Sequence, residues 1–347
     1  MNKNNTFIDM RKLNRIILCL PLLIMCACGG NRLDVDTSEA VVEPIKVLRL
    51  DKDIFAMDTN KIASYSPEML KKYGNFYSTF IFGILNPGDV KDSAYKAISA
   101  FIQHPDMKEM NANVNTVFTE DEINKMEGEL TTSFKYFNYH FPMIQFPKKV
   151  VAFQSGFNYN ITTSDSTLGI GLEMYLGGNN KFYKMLQWPN YKVNQLSKEY
   201  VVSDAMKGWL INSFDNNEPV NNLLSHMIFY GKLYYCMDAV LPDTPDSIKI
   251  GYSTEQITYC EKFEKKLWAY FTEKDRLYKN DLKEVAEYTS EGPFTSAISK
   301  ECPPRIAMWV GWQIVRSYMN KNEKISLAEL MKTSDAQLIL SKAKYKP

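Results

Sequence analysis

The chain has only three histidines in 347 residues, which leaves little material for imidazole chemistry. A zinc hydrolase ordinarily places two histidines one helical turn apart with a glutamate beside the first, so that both rings share one helix face. His104 and His140 stand in separate stretches, and in His226-Met227-Ile228-Phe229-Tyr230 the places of the base and second ligand are held by Met227 and Tyr230. No metal and no cofactor is therefore expected. Cysteine is equally scarce. Beyond the N-terminal region only Cys236, Cys260 and Cys302 remain, an odd and widely spaced set that argues against a disulfide framework and allows one bridge at most. Cys236 lies between Tyr235 and Met237 with no histidine a turn away, which favours a buried structural thiol over a nucleophile. An excess of one charge is also missing: 41 Lys and Arg against 40 Asp and Glu give +1, and no basic stripe is present to collect phosphates. Nucleic-acid binding is disfavoured. Past residue 30 there is no apolar run long enough to span a bilayer, no internal repeat and no Pro, Gly or Ser-rich linker.

What is present begins at the N-terminus. Met10-Arg11-Lys12-Leu13-Asn14-Arg15 is a short positive region, and Ile16 to Ala27 is mostly apolar but well short of the about 20 residues of a spanning helix, the pattern of a secretion signal. Met25-Cys26-Ala27-Cys28-Gly29-Gly30 sets a small residue before a cysteine and two glycines after it, as in a lipobox, with Met25 and Cys26 imperfect at its first two places. Cys28 is the expected lipidated mature N-terminus, with an ordinary cleaved signal or an uncleaved anchor as alternatives. Met10 is also a better start than Met1, because Asn2 to Asp9 adds polar residues and an acid that contribute nothing to a signal. Acyl chains burying about 0.8 kcal/mol per methylene would tether the body to a membrane of the cell envelope. Residues 28–43, small, polar and acidic, are expected as a flexible leader, and residues 44–347 as one globular domain.

Within that domain Lys46 to Phe55 alternates as a strand, and Ser66-Pro67 predicts the start of a helix through Leu85. Thr119-Glu120-Asp121-Glu122 is a capping box ahead of Ile123, Met126, Leu130, Phe134 and Phe137 at helical spacing. Lys149 to Phe157 and Leu168 to Leu176 are expected to pair as a hairpin about the polar turn 162–166, and nearly everything after Asn180 has helical signals. The stretch Val220 to Leu241 is apolar on almost every face and is expected at the centre. The fold class is therefore α+β, a predominantly helical single domain around a small sheet.

Three charged or titratable residues fall in apolar surroundings. Glu173, in the second expected strand, and Lys232, on the central helix, each must pair, reach water or line a cleft. His226 on the same helix is expected to satisfy a core hydrogen bond rather than act as an acid or base. The cleft reading has Glu173, His226 and Lys232 sharing one wet pocket; the default is a structural role for each. Asp238, on the same helix as Lys232, raises the same question of pairing. Ser155-Gly156 and Gly169-Ile170-Gly171 are fragments of hydrolase and phosphate-loop motifs without their remaining residues, and glycines in strands more often mark bulges or close backbone approach.

Several segments together resemble the GldB family of gliding-motility lipoproteins of Bacteroidota. They are Phe134-Lys135-Tyr136-Phe137 with Phe141-Pro142, Ser155-Gly156-Phe157-Asn158-Tyr159, the run Leu168 to Gly177, and Met227-Ile228-Phe229-Tyr230-Gly231-Lys232. Asp246-Ser247-Ile248-Lys249-Ile250-Gly251-Tyr252, Pro293-Phe294-Thr295, Gly311 to Met319 and the closing Tyr345-Lys346-Pro347 extend the match over nearly all of the mature chain. Glu173 stands where that family suggests an aspartate. The resemblance implies an envelope lipoprotein tied to gliding and, by association, to type IX secretion, with envelope or secretion-system proteins as partners. It also implies a distant likeness to gluzincin zinc peptidases, whose His-Glu-x-x-His helix is absent here. Two functions follow: non-enzymatic support of an envelope machine, or a periplasmic hydrolase on a degenerate zinc-peptidase-like fold.

Overall fold

The computed structural model describes residues 32–86, 91–164, 166–214 and 220–347. Cys28 and the expected signal lie outside them. Within residues 33–347, which form one compact unit, a four-stranded sheet separates two sets of helices. Its strands are β1 (Val47–Arg49), β2 (Lys149–Phe153), β3 (Ile161–Thr163) and β4 (Thr167–Gly171), in the order β1-β2-β4-β3. The period of two along β2 divides the core between its faces: Val151 and Phe153 join a cluster with Leu50, Tyr77, Phe80 and Ile98, while Val150 and Ala152 join the larger cluster built by the C-terminal helices.

The expected hairpin is corrected. β2 and β4 are parallel, with Val150 opposite Leu168 and Ala152 opposite Ile170, and the strand antiparallel to β4 is Ile161–Thr163, which falls partly in the segment expected as a turn. The β2-to-β4 pairing places both C-terminal strand ends side by side. Gly169 and Gly171 allow the crowding this creates: a Cβ on Gly169 would lie 2.3 Å from Thr162 Oγ1 and 2.7 Å from the Phe76 ring, and one on Gly171 would lie 2.0 Å from the Tyr159 carbonyl oxygen. The expected strand over residues 46–55 is also shorter. After Arg49 the chain turns into the helix Leu50–Phe55, because Leu50 and Ile54 lie one helical turn apart on a buried face, with Asp51 and Asp53 in the first turn where acids are favoured. The expected helix from Ser66 through Leu85 begins earlier, at Ile62, and is broken by Gly74 at φ 63°.

Five later helices frame the sites: α1 (Glu120–His140), α2 (Val201–Ser213), α3 (Leu223–Val240), α4 (Asp246–Ile250) and α5 (Ile306–Lys321). Thr119 caps α1 by accepting from the Glu122 amide at 3.3 Å, while the Glu122 side chain pairs with Lys198. The central position expected for α3 holds. Asn222 and Ser225 close a capping box at its start, and 16 of its 18 residues are buried. It crosses α5 at Gly231 and Gly311. Part of the expected leader is packed as well, since Leu33 and Val42 are buried in the larger core. The class is α+β as expected; nothing in the fold supports the likeness to gluzincins.

Candidate functional site

Glu173 is not on a strand. It lies in the single 3-10 turn Leu172–Tyr175 that follows β4, and from there its carboxyl points to the end of the parallel neighbour β2. Its Oε1 accepts from the Ser155 amide at 2.5 Å, the Ser155 hydroxyl at 2.6 Å and the Phe157 amide at 3.2 Å. Gly156 and Phe157, both with φ near 70°, turn these amides inward. The Ser155 oxygen in turn accepts from the Asn158 and Tyr159 amides, each at 3.0 Å, so one carboxyl orders the whole loop. Glu173 has no exposed surface, and its Oε2 has no hydrogen-bond partner among the described residues. Loss of hydration raises its pKa to about 7 despite the donors, which favour the charged form. Tyr183 holds the turn from behind by donating to the Glu173 carbonyl at 2.8 Å and accepting from the Leu176 amide at 2.9 Å.

Lys232 and His226 have their own partners. The Lys232 ammonium donates to the Thr333 carbonyl at 2.8 Å. His226 sits in the first turn of α3, half-buried, with Nε2 at 2.7 Å from Asn221 Oδ1, and burial lowers its pKa. Among the described residues no hydrogen bond joins Glu173 to Lys232 or to His226, and the expected core position of His226 is corrected. The reason is local: Asn222 starts α3 two residues later than its apolar run, so His226 falls at a helix end. The three cysteines are buried and free, with the Cys302 thiol pushed up to about 12 and those of Cys236 and Cys260 raised further by burial. They are poor nucleophiles there. Among the described residues, no group of three His, Cys, Asp or Glu side chains is placed to hold a metal ion.

The charges that do converge are others. Asp238, on α3, accepts from Lys249 at 2.9 Å, from the Trp312 indole at 2.9 Å and from Arg316 Nε and Nη2 at 2.8 Å each. Arg316 also holds Asp246 through Nη1 at 2.6 Å and Nη2 at 2.9 Å, and its guanidinium lies 4.0 Å from the Trp312 ring centroid. These bonds fix the short helix α4 to α3 and α5. The guanidinium is raised further above its ordinary pKa by the two carboxylates, which outweigh its burial. A family model described as gliding motility protein GldB matches residues 30–347. The chain belongs to the GldB family. No curated protein and no solved structure matches it. In this GldB-family chain the segments Asp246 to Tyr252 and Gly311 to Met319, remote in sequence, meet at Asp238. Sequence reading raised the pairing of Asp238 but missed its partners, Lys249 and Arg316, whose segments stood out without an evident chemistry. It also missed Arg305, buried at φ 56° immediately before α5, with Nη1 at 3.2 Å from Glu291.

Beside this network lies a cavity of about 700 Å³, bounded by one face of α1, residues 198–203 leading into α2, and residues 240–248 joining α3 to α4. Asp246 and Lys249, which anchor α4 to the network, hold the last of these walls in place. Neither Glu173, His226 nor Lys232 lines the cavity.

Proposed function

We propose that the chain is a lipid-anchored envelope protein that supports gliding, and the secretion associated with it, by binding other proteins rather than by catalysis. The observation that carries this reading is the closure of the chemical groups. Asp238, Lys249 and Arg316 are consumed by one another, Glu173 and Ser155 are 0% and 2% exposed, and the cysteines are buried. A hydrolase needs such groups within reach of a substrate. Ser155 bonded to Glu173 favours the hydrolytic alternative by composition, but its hydroxyl donates to a buried carboxyl and its oxygen accepts from backbone amides instead of facing an open site.

The membrane anchor rests on the sequence around Cys28, and no helix among the described residues is long and apolar enough to cross a membrane. Only Gly29, Gly30, Asn31 and Arg32 separate Cys28 from the packed Leu33. At about 3.5 Å per residue they reach less than about 20 Å, so the acylated protein would work close to its membrane. Cells lacking the protein, complemented by Glu173→Gln with His226→Ala or by Cys28→Ser, test the reading through colony spreading and surface delivery of secreted protein. The double variant is expected to restore both, and Cys28→Ser neither. Turnover of a peptide or ester substrate by purified protein, abolished in Glu173→Gln, would replace this role with the hydrolytic one.

A further inference from the structure

The cavity between α1, α2 and α4 has an apolar floor of Met126, Val201, Val202, Val240, Leu241 and Ile248. Its volume lies in the range of about 300–1,000 Å³ common to ligand sites. Its rim is acidic: four carboxylates, Glu122, Glu129, Glu199 and Asp243, stand against two lysines, Lys125 and Lys198. Both lysines are already engaged, Lys198 with Glu122 and Lys125 with Glu129. Glu199 and Asp243 are exposed and make no ion pair among the described residues.

A second observation comes from Gly128, on the wall that α1 contributes. Glycine inside a helix is unfavourable unless something requires it. Elsewhere in this protein the requirement is visible, since a Cβ would lie 2.7 Å from Ile161 at Gly208, 2.3 Å from the Gly311 carbonyl oxygen at Gly231 and 1.9 Å from the Met227 carbonyl oxygen at Gly311. At Gly128 a Cβ would meet nothing within 4 Å. Its backbone lies bare against the cavity, as the backbones of α3 and α5 lie bare against each other where they cross.

We infer that this cavity docks a segment of a partner protein, an apolar stretch carrying a basic side chain, whose backbone passes close over Gly128 while its cation meets Glu199 and Asp243. The inference rests on the support role above and names the surface through which it acts. Free carboxylates at the rim select the cationic partner, and the apolar floor supplies the contact area.

A photocrosslinking residue at Thr132, exposed one turn beyond Gly128, is activated in native membranes and the captured peptide is sequenced. The expected product is one peptide with apolar residues and a Lys or Arg. Its yield should fall by about tenfold or more in Gly128→Trp and in Glu199→Lys with Asp243→Lys, the scale of losing a contact at the centre of an interface. Gly128→Trp should melt no lower than the parent, which separates filling of the cavity from misfolding. Capture of an acidic peptide, of a lipid or of a second copy of this chain overturns the inference. So does a yield unchanged by Gly128→Trp, or no capture at all. The support role fails on a separate readout, hydrolytic turnover sensitive to Glu173→Gln.

Discussion

Gly231 on α3 and Gly311 on α5 face each other so closely that a Cβ on Gly231 would sit 2.3 Å from the Gly311 carbonyl oxygen. The two helices therefore touch backbone to backbone, and the long crossing buries Met227, Tyr234, Trp312 and Val315 on either side. Gly311→Ala should force the helices apart and cost about 3 kcal/mol, as overpacking of a rigid core does. Gly128→Ala should instead add up to about 1 kcal/mol, because it gains helix propensity without a clash. Urea unfolding of the two variants checks the contrast. Equal effects would mean that the helix crossing can relax.

The Asp238 carboxyl binds two cations and an indole, so removing it strands several groups together. Asp238→Ala should destabilise by about 3 kcal/mol or more, the scale for breaking a buried pair on one side. Arg316→Lys should fall between it and the parent, since a single ammonium cannot fork onto both Asp238 and Asp246. The Asp238→Ala loss should not shrink in high salt, because Asp238 and Lys249 are buried away from screening ions. A loss that disappears at 1 M salt in denaturation curves would place the energy at the surface instead.

His226 now carries less weight for stability than its place on an apolar helix implies. Its one described side-chain hydrogen bond, to Asn221, is near the surface, so His226→Ala should cost less than about 1.5 kcal/mol, the net worth of an ordinary hydrogen bond. A larger drop in urea-unfolding stability would restore the core reading.

Much of the helical half was legible because its signals are local. Thr119 caps α1 where its sequence places it, and the apolar faces of α1 and α3 announce their burial. The sheet was less legible. Two apolar stretches separated by a polar turn suit a hairpin, yet Ile161 to Thr163 supplies a third strand that takes the antiparallel place, leaving β2 and β4 parallel. Residue types could mark Glu173 and Lys232 as needing partners, but not name them. Glu173 finds loop amides turned inward by two positive-φ residues, and Lys232 finds the carbonyl of Thr333, 101 residues away. The cavity had no signature beyond a glycine inside α1.

Cys28 lies outside the described residues, so its acylation is tested in cells. A clickable fatty acid should label the parent and leave Cys28→Ser unlabelled, and the variant should leave the membrane fraction, since several acyl chains hold by many methylenes at about 0.8 kcal/mol each. Equal labelling of the two proteins would rule out acylation at Cys28.

The buried carboxyl of Glu173 should leave a pH signature opposite to that of a salt-bridged acid. Burial raises its folded pKa to about 7, while in the unfolded chain it titrates near the ordinary glutamate value of about 4.3. Between those two values the folded state holds more protons than the unfolded one, so stability falls as pH rises. The stabilising difference is fully present below about pH 4 and is lost once pH passes the folded value of about 7. Glu173→Gln keeps an acceptor for Ser155 and Phe157 but has no charge to desolvate. Its unfolding free energy should therefore change less than the parent's between pH 5 and pH 8, and the variant should compare best with the parent at the alkaline end. Urea titrations at both pH values measure this directly. If the parent and the variant change equally across that interval, the donors outweigh burial and Glu173 is held as a carboxylate in both states.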